Sequence, residues 1–128
     1  MRLVVGVDLI RISDVADSIQ RFGSRYTRRL FTAEEIQYCE QDPSRAPERF
    51  AARFAAKEAA FKVLRPNSND SLDWRSVEVR RAPEGWCEIE LHAEARALAA
   101  RNGVNDLALS MSHEQDYATA TVVGHQQG

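Results

Sequence analysis

An α+β fold is predicted from three observations. The first half of the chain carries helix caps and helical spacing, and the second half turns to alternating apolar runs. No linker, repeat or low-complexity tract separates the halves. A chain of 128 residues and 14.4 kDa suits one domain, residues 1–128. At that length folding buries roughly two-thirds of the unfolded surface, so a core forms without staples.

Residues 2–9 are rich in Val and Leu and alternate weakly, which predicts a strand. Ser13 is placed to cap a helix running to about Phe22, with Gly23 as its stop. Thr32-Ala33-Glu34-Glu35 spells a capping box and opens a short helix that Asp42-Pro43 ends. Pro47 suits the first turn of the longest helix, about residues 47–65, which closes before Pro66. The turn-rich stretch Pro66 to Asp73 is a loop. Residues 74–81 and 86–92 read as two strands around Pro83-Glu84-Gly85. An Ala-rich helix over about 93–102 ends at Asn102-Gly103. Residues 107–113 and 117–123 form a second hairpin across Glu114-Gln115-Asp116, and His125 to Gly128 are expected to fray.

Composition narrows the function. Hydrophobic residues at 44% and charged ones at 28% belong to a globular chain. A net charge of −2 excludes a surface that is basic throughout, and no nucleic-acid recognition motif is present. No apolar run is long enough for a membrane span, and Arg2 and Asp8 break up the first segment. A soluble, cytoplasmic protein is expected. Cys39 and Cys87, with His92, His113 and His125, lack the paired spacing of a zinc site, so free buried or half-buried thiols are expected.

In the long helix, Phe50, Phe54, Phe61 and Leu64 recur at helical spacing and predict a core face. Glu58 lies only about 40° from both Phe54 and Lys62, so it borders that stripe. Such a carboxylate is either paired, as in a Glu58–Lys62 ion pair, or functional. Asp8 interrupts an apolar strand just after Gly6, a residue that allows close backbone approach. If strand and helix pack together, Asp8 and Glu58 form a two-carboxylate site for a hard cation such as magnesium. Arg53, Lys57 and Lys62 would suit the phosphates that magnesium accompanies. His113, sharing a strand face with Leu107, Leu109 and Met111, is either a structural histidine or a ligand-binding one.

Gly6-Val7-Asp8-Leu9-Ile10, Arg53-Phe54-Ala55-Ala56-Lys57-Glu58-Ala59 with Lys62, and Ser110-Met111-Ser112-His113 followed by Tyr117-Ala118 resemble the three motifs of the bacterial holo-acyl-carrier-protein synthases. These are members of the 4′-phosphopantetheinyl transferase superfamily. The resemblance spans nearly the whole chain. It implies the family's fold, a small antiparallel sheet packed against one long helix and shorter helices. It also implies transfer of the 4′-phosphopantetheine arm of coenzyme A to a serine of an apo-acyl carrier protein, as in fatty-acid synthesis. Asp8 and Glu58 would hold magnesium, and Glu58 and Lys62 would be catalytic. Arg53, Lys62 and His113 would bind coenzyme A, and Arg21, Arg25 and Arg28 would dock an acidic carrier. Arg53 and Lys62 stand about 180° apart on an ideal helix. The homotrimer implied by the resemblance, with active sites between subunits, would reconcile them.

Two positions depart from the family pattern. Arg11 and Asp14 invert the charges usual there, which bears on carrier preference, and an Arg11–Asp14 pair at i,i+3 spacing would preserve the helix. The segment Arg65 to Ser71 lacks the usual glycines. The alternative reading is a non-catalytic module that binds coenzyme A or a carrier on the same fold. A magnesium-dependent pyrophosphate hydrolase is a weaker rival.

Overall fold

The first strand runs straight into the first helix. In the computed structural model, which describes residues 1–127, β1 (Arg2–Arg11) leads directly to α1 (Ile12–Phe22). Ser13 is therefore inside the helix and does not cap it. Arg11 holds the cap position without a side-chain bond, and the Ile12 amide donates to the Asp116 carbonyl at 2.9 Å. Gly23 ends α1 as expected. It is followed by α2 (Ser24–Leu30), which the sequence pattern does not announce because seven residues bury only Thr27 and Leu30. The capping box is formed at the start of α3 (Ala33–Glu40): the Glu35 amide donates to Thr32 Oγ1 at 3.2 Å, and the Thr32 amide donates to Glu35 Oε1 at 2.8 Å.

The long helix, α4 (Ala46–Leu64), has Pro47 in its first turn and closes at Arg65, whose φ is 56°. Its buried surface is wider than the expected aromatic stripe. Phe50 and Leu64 are buried, but Phe54 and Phe61 are half-buried and pack on Trp74, each with ring centroids 5.2 Å away. Ala55, Ala56, Ala59 and Ala60 form the central contact instead. Small side chains let the sheet approach the helix backbone, as the packing of β1 on it demonstrates below.

A 3₁₀ turn at Trp74–Ser76, capped by Asp73, replaces the expected start of the next strand. β2 (Val77–Arg81) and β3 (Cys87–Leu91) then form a two-stranded antiparallel sheet. α5 (Ala93–Asn102) stops at Gly103, whose φ of 68° suits a residue without Cβ. β4 (Val104–His113) begins earlier than residue 107, and an irregularity between Asn105 and Ala108 lets Asp106 adopt a φ of 57°. β5 (Tyr117–Gln126) includes His125 and Gln126, which are not frayed because they pair with Leu3 and Arg2 of β1. Gly128 lies outside the described residues. The three long strands form a sheet in the order β1-β5-β4, antiparallel throughout. Its inner face packs on α4, so the fold is the expected α+β arrangement, with two sheets in place of one. Among the described residues no helix is long and apolar enough to cross a membrane.

Candidate active site

Period-two alternation along β1 turns Val4, Gly6, Asp8 and Ile10 toward α4 and leaves Leu3, Val5, Val7 and Leu9 outside. A Cβ on Gly6 would lie 2.2 Å from the Ala59 carbonyl oxygen, so only glycine permits this contact. The close approach brings Asp8 to the turn of α4 that carries Glu58 and Lys62. Lys62 Nζ donates to the Val7 carbonyl at 2.7 Å and to Asp8 Oδ1 at 3.2 Å. Asp8 Oδ2 is buried and has no hydrogen-bond partner. An orphaned carboxylate oxygen beside a second carboxylate suits a hard cation.

Glu58 makes no ion pair with Lys62 among the described residues; Lys62 turns to Asp8 instead. Burial, and then the neighbouring Asp8 charge, push the Glu58 carboxyl above its ordinary range, while Lys62 partly opposes them. Folded Glu58 thus holds its proton more tightly than the unfolded chain does. Its contribution to stability is full below the ordinary glutamate pKa and is lost as pH rises through the folded value. At neutral pH a divalent cation would remove this penalty. Magnesium is therefore expected to raise the melting temperature at pH 7, less at pH 5, and Glu58→Gln to blunt the response. A shift in Glu58→Gln equal to that of the parent protein would remove Glu58 from the cation site.

Arg53 and His113 come together elsewhere. They line a cavity of about 220 Å³ with Tyr38, Arg49, Arg81 and Cys87. Arg53 is only 5% exposed, and its Nε has no partner. His113 Nδ1 lies 3.4 Å from Glu48 Oε2. The sequence reading missed three members of this cluster. The Arg49 and Arg53 guanidiniums lie over the Tyr38 ring at 4.5 and 4.4 Å, and Arg81 donates to the Tyr38 hydroxyl at 2.9 Å. Arg45, Arg49 and Arg53 recur every four residues along one helix face, a signal visible in the sequence. Tyr38 and Arg81 arrive through tertiary packing and leave no such trace.

The Lys57 side chain turns away from Asp8 and Glu58. It is fully buried on another face of α4, donating to Glu35 Oε1 at 2.8 Å, to the Trp74 carbonyl at 3.2 Å and to the Val77 carbonyl. Burial lowers its pKa, and Glu35 opposes that shift. The Arg11–Asp14 pair is also absent among the described residues; Arg11 donates to the Tyr117 hydroxyl at 3.3 Å instead. Arg21, Arg25 and Arg28 are exposed on α1 and α2. The glycine-poor loop is fastened to α5 through Asp70 and Arg101, 2.7 Å apart.

Glu78, Glu90 and His92 bring ligand atoms within 4.8 Å of one another. Protein partners already occupy them: Glu78 accepts from Thr32 Oγ1 at 2.7 Å and meets His92 at 2.9 Å, and Glu90 pairs with Arg80. Cys39 is buried and Cys87 half-buried, both as free thiols.

Two carboxylates with an ammonium, and a separate cavity that gathers guanidinium and imidazole groups, are set on one α+β scaffold, an arrangement whose cations suit phosphate and carboxylate groups. The chain belongs to the 4′-phosphopantetheinyl transferase superfamily, whose family model matches residues 4–122. It is 42% identical to the holo-[acyl-carrier-protein] synthase of Koribacter versatilis, over 96% of this chain and 98% of that one. Identity to the synthase of Desulforudis audaxviator is 39%, covering 96% and 92% of the two chains. The fold superposes on the ACPS–CoA complex of Chronobacterium ammoniagenes with a TM-score of 0.88 at 32% identity, covering 100% of both chains.

Proposed function

We infer that this protein is a holo-[acyl-carrier-protein] synthase. It moves the 4′-phosphopantetheine group of coenzyme A to a serine hydroxyl of an apo-acyl carrier protein and releases adenosine 3′,5′-bisphosphate. The observation that carries the reading is the unpartnered, buried Asp8 Oδ2 beside Glu58 and Lys62, within the motifs of that family. Asp8 and Glu58 would hold magnesium. Bound there, it would supply Lewis-acid polarisation of the attacked phosphorus and charge neutralisation on the leaving phosphate. Lys62, fixed by the Val7 carbonyl, places a positive charge on the same side for the transferring phosphate. Glu58, beside that cation, would take the serine proton.

Arg53 and His113 would bind an anionic end of coenzyme A. His113→Ala is expected to raise KM for coenzyme A about tenfold with kcat nearly unchanged. An equal fall in kcat at unchanged KM would place His113 in the chemistry instead. Arg21, Arg25 and Arg28 would receive the acidic carrier.

The two halves of the site lie on different faces of α4, which supports an active site shared between copies. Leu3, Val5, Val7 and Leu9 form an apolar stripe on the outer face of β1, each 56–67% exposed. Such a stripe calls for cover, and neighbouring copies in a homotrimer would provide it. Val5→Asp is expected to yield monomers by light scattering and to lose most activity. A trimer that persists with full activity would remove this face from the interface. A cytoplasmic location accords with an enzyme serving cytoplasmic carriers.

Product analysis tests the reading as a whole. Adenosine 3′,5′-bisphosphate should form only with apo-carrier present and in equal amount to holo-carrier. Its release without carrier would indicate a hydrolase.

A further inference from the structure

The surface of α1 and α2 carries six exposed charges: Asp14, Asp17, Arg21, Arg25, Arg28 and Arg29. Among the described residues none of them enters an ion pair. Asp17 and Arg21 even stand at the i,i+4 spacing that commonly joins opposite charges. The Arg21 guanidinium instead lies over the Phe22 ring at 5.4 Å, with Arg25 over the same ring at 6.0 Å. Phe22 is itself 44% exposed, so an apolar contact sits between two free cations. Arg11, the nearest base before the two acids, turns to Tyr117 and forms no ion pair with them.

The charges are also sorted. Both acids lie within the first six residues of α1, and all four arginines follow from its last turn onward. Asp14 and Arg21 are seven residues apart, about two turns or roughly 10 Å along the same helix face. Asp17 falls within about 60° of both. A uniformly acidic partner laid along this face would satisfy the arginines but set like charges against Asp14 and Asp17. Like-charge juxtaposition slows encounter and selects against that partner.

We propose that this face selects a carrier of mixed polarity, whose docking helix has a basic side chain about 10 Å from its acidic cluster. The carrier's acids meet Arg21, Arg25 and Arg28, its apolar contact covers Phe22, and its basic group meets Asp14 and Asp17. This proposal rests on the transferase reading above and narrows its protein substrate.

The test uses one apo-carrier with a uniformly acidic docking helix, together with versions in which each exposed acid of that helix is changed in turn to lysine. Transfer by the parent enzyme is compared with transfer by the Asp14→Arg, Asp17→Arg double variant. The double variant is expected to raise kcat/KM on the all-acidic carrier about fivefold at low ionic strength, mainly through KM. The gain should shrink as salt screens it. At least one lysine-bearing carrier should be a better substrate than the all-acidic one for the parent enzyme and a poorer one for the variant. A variant within twofold of the parent on every carrier would overturn the proposal. Failure of the parent enzyme to modify any carrier would overturn the transferase reading, and this proposal with it.

Discussion

Replacing Asp8 with alanine is expected to cut turnover at least about a hundredfold while leaving the fold intact. On the proposed metal assignment, loss of one of the two carboxylates would remove several kcal/mol of transition-state stabilisation, and each 1.4 kcal/mol or so is a factor of ten. The structural cost runs the other way. Asp8 Oδ2 is a buried acceptor with no partner, and Oδ1 bonds only the half-exposed Lys62 ammonium. Deleting this carboxylate also relieves the repulsion that raises the Glu58 pKa. The metal-free Asp8→Ala protein should therefore melt no lower than its parent, the signature of a residue retained for activity at some expense of stability. Full activity at saturating magnesium would end the metal assignment. A large drop in melting temperature with activity retained would make Asp8 a structural residue.

The second large effect concerns another face of the same helix. Lys57→Met is expected to destabilise the protein by about 3–5 kcal/mol, because it strands a charged Glu35 in the core. Glu35 accepts from the Thr32 and Val79 amides and from Lys57, each at 2.8 Å. Lys57 in turn bonds two carbonyls that flank the start of β2. The pair thus fastens α3, α4 and β2 together. Adding Glu35→Gln to Lys57→Met should recover only part of the loss: the amide removes the unpaired charge, but its oxygen accepts from one of the Thr32 and Val79 amides while its NH2 faces the other. Denaturant unfolding of the two single variants and the double variant measures this coupling. Additive losses would show that Lys57 and Glu35 act independently.

The same pair marks where the sequence stops being readable. Lys57 directly precedes Glu58 and was grouped with the phosphate-binding cations, yet consecutive helical residues point about 100° apart. Its partner lies 22 residues earlier, on another helix, and no local pattern joins them. By contrast, Glu58 and Lys62 share a helix face by spacing alone, and Gly6 marks where β1 touches that face, so this half of the site was legible. The split between Arg53 and Lys62 was legible for the same reason. The Thr32 capping box and Gly103 mark helix boundaries where expected, whereas Ser13 does not cap α1 because β1 runs directly into it. Other elements leave no such mark: α2 is too short to show a period, and the onset of β4 hides behind Asn105 and Asp106, which resemble turn residues. The end of β5 looked frayed because polar residues close it, but pairing with Arg2 and Leu3 holds it.

The most direct measurement is intact mass spectrometry of an apo-acyl carrier protein incubated with this protein, coenzyme A and magnesium. The expected result is a mass gain of one phosphopantetheine group on the carrier serine, lost on chelation of the metal and lost with Asp8→Ala. Tight binding of coenzyme A with no gain on any carrier would contradict the account and leave a binding module on a transferase fold.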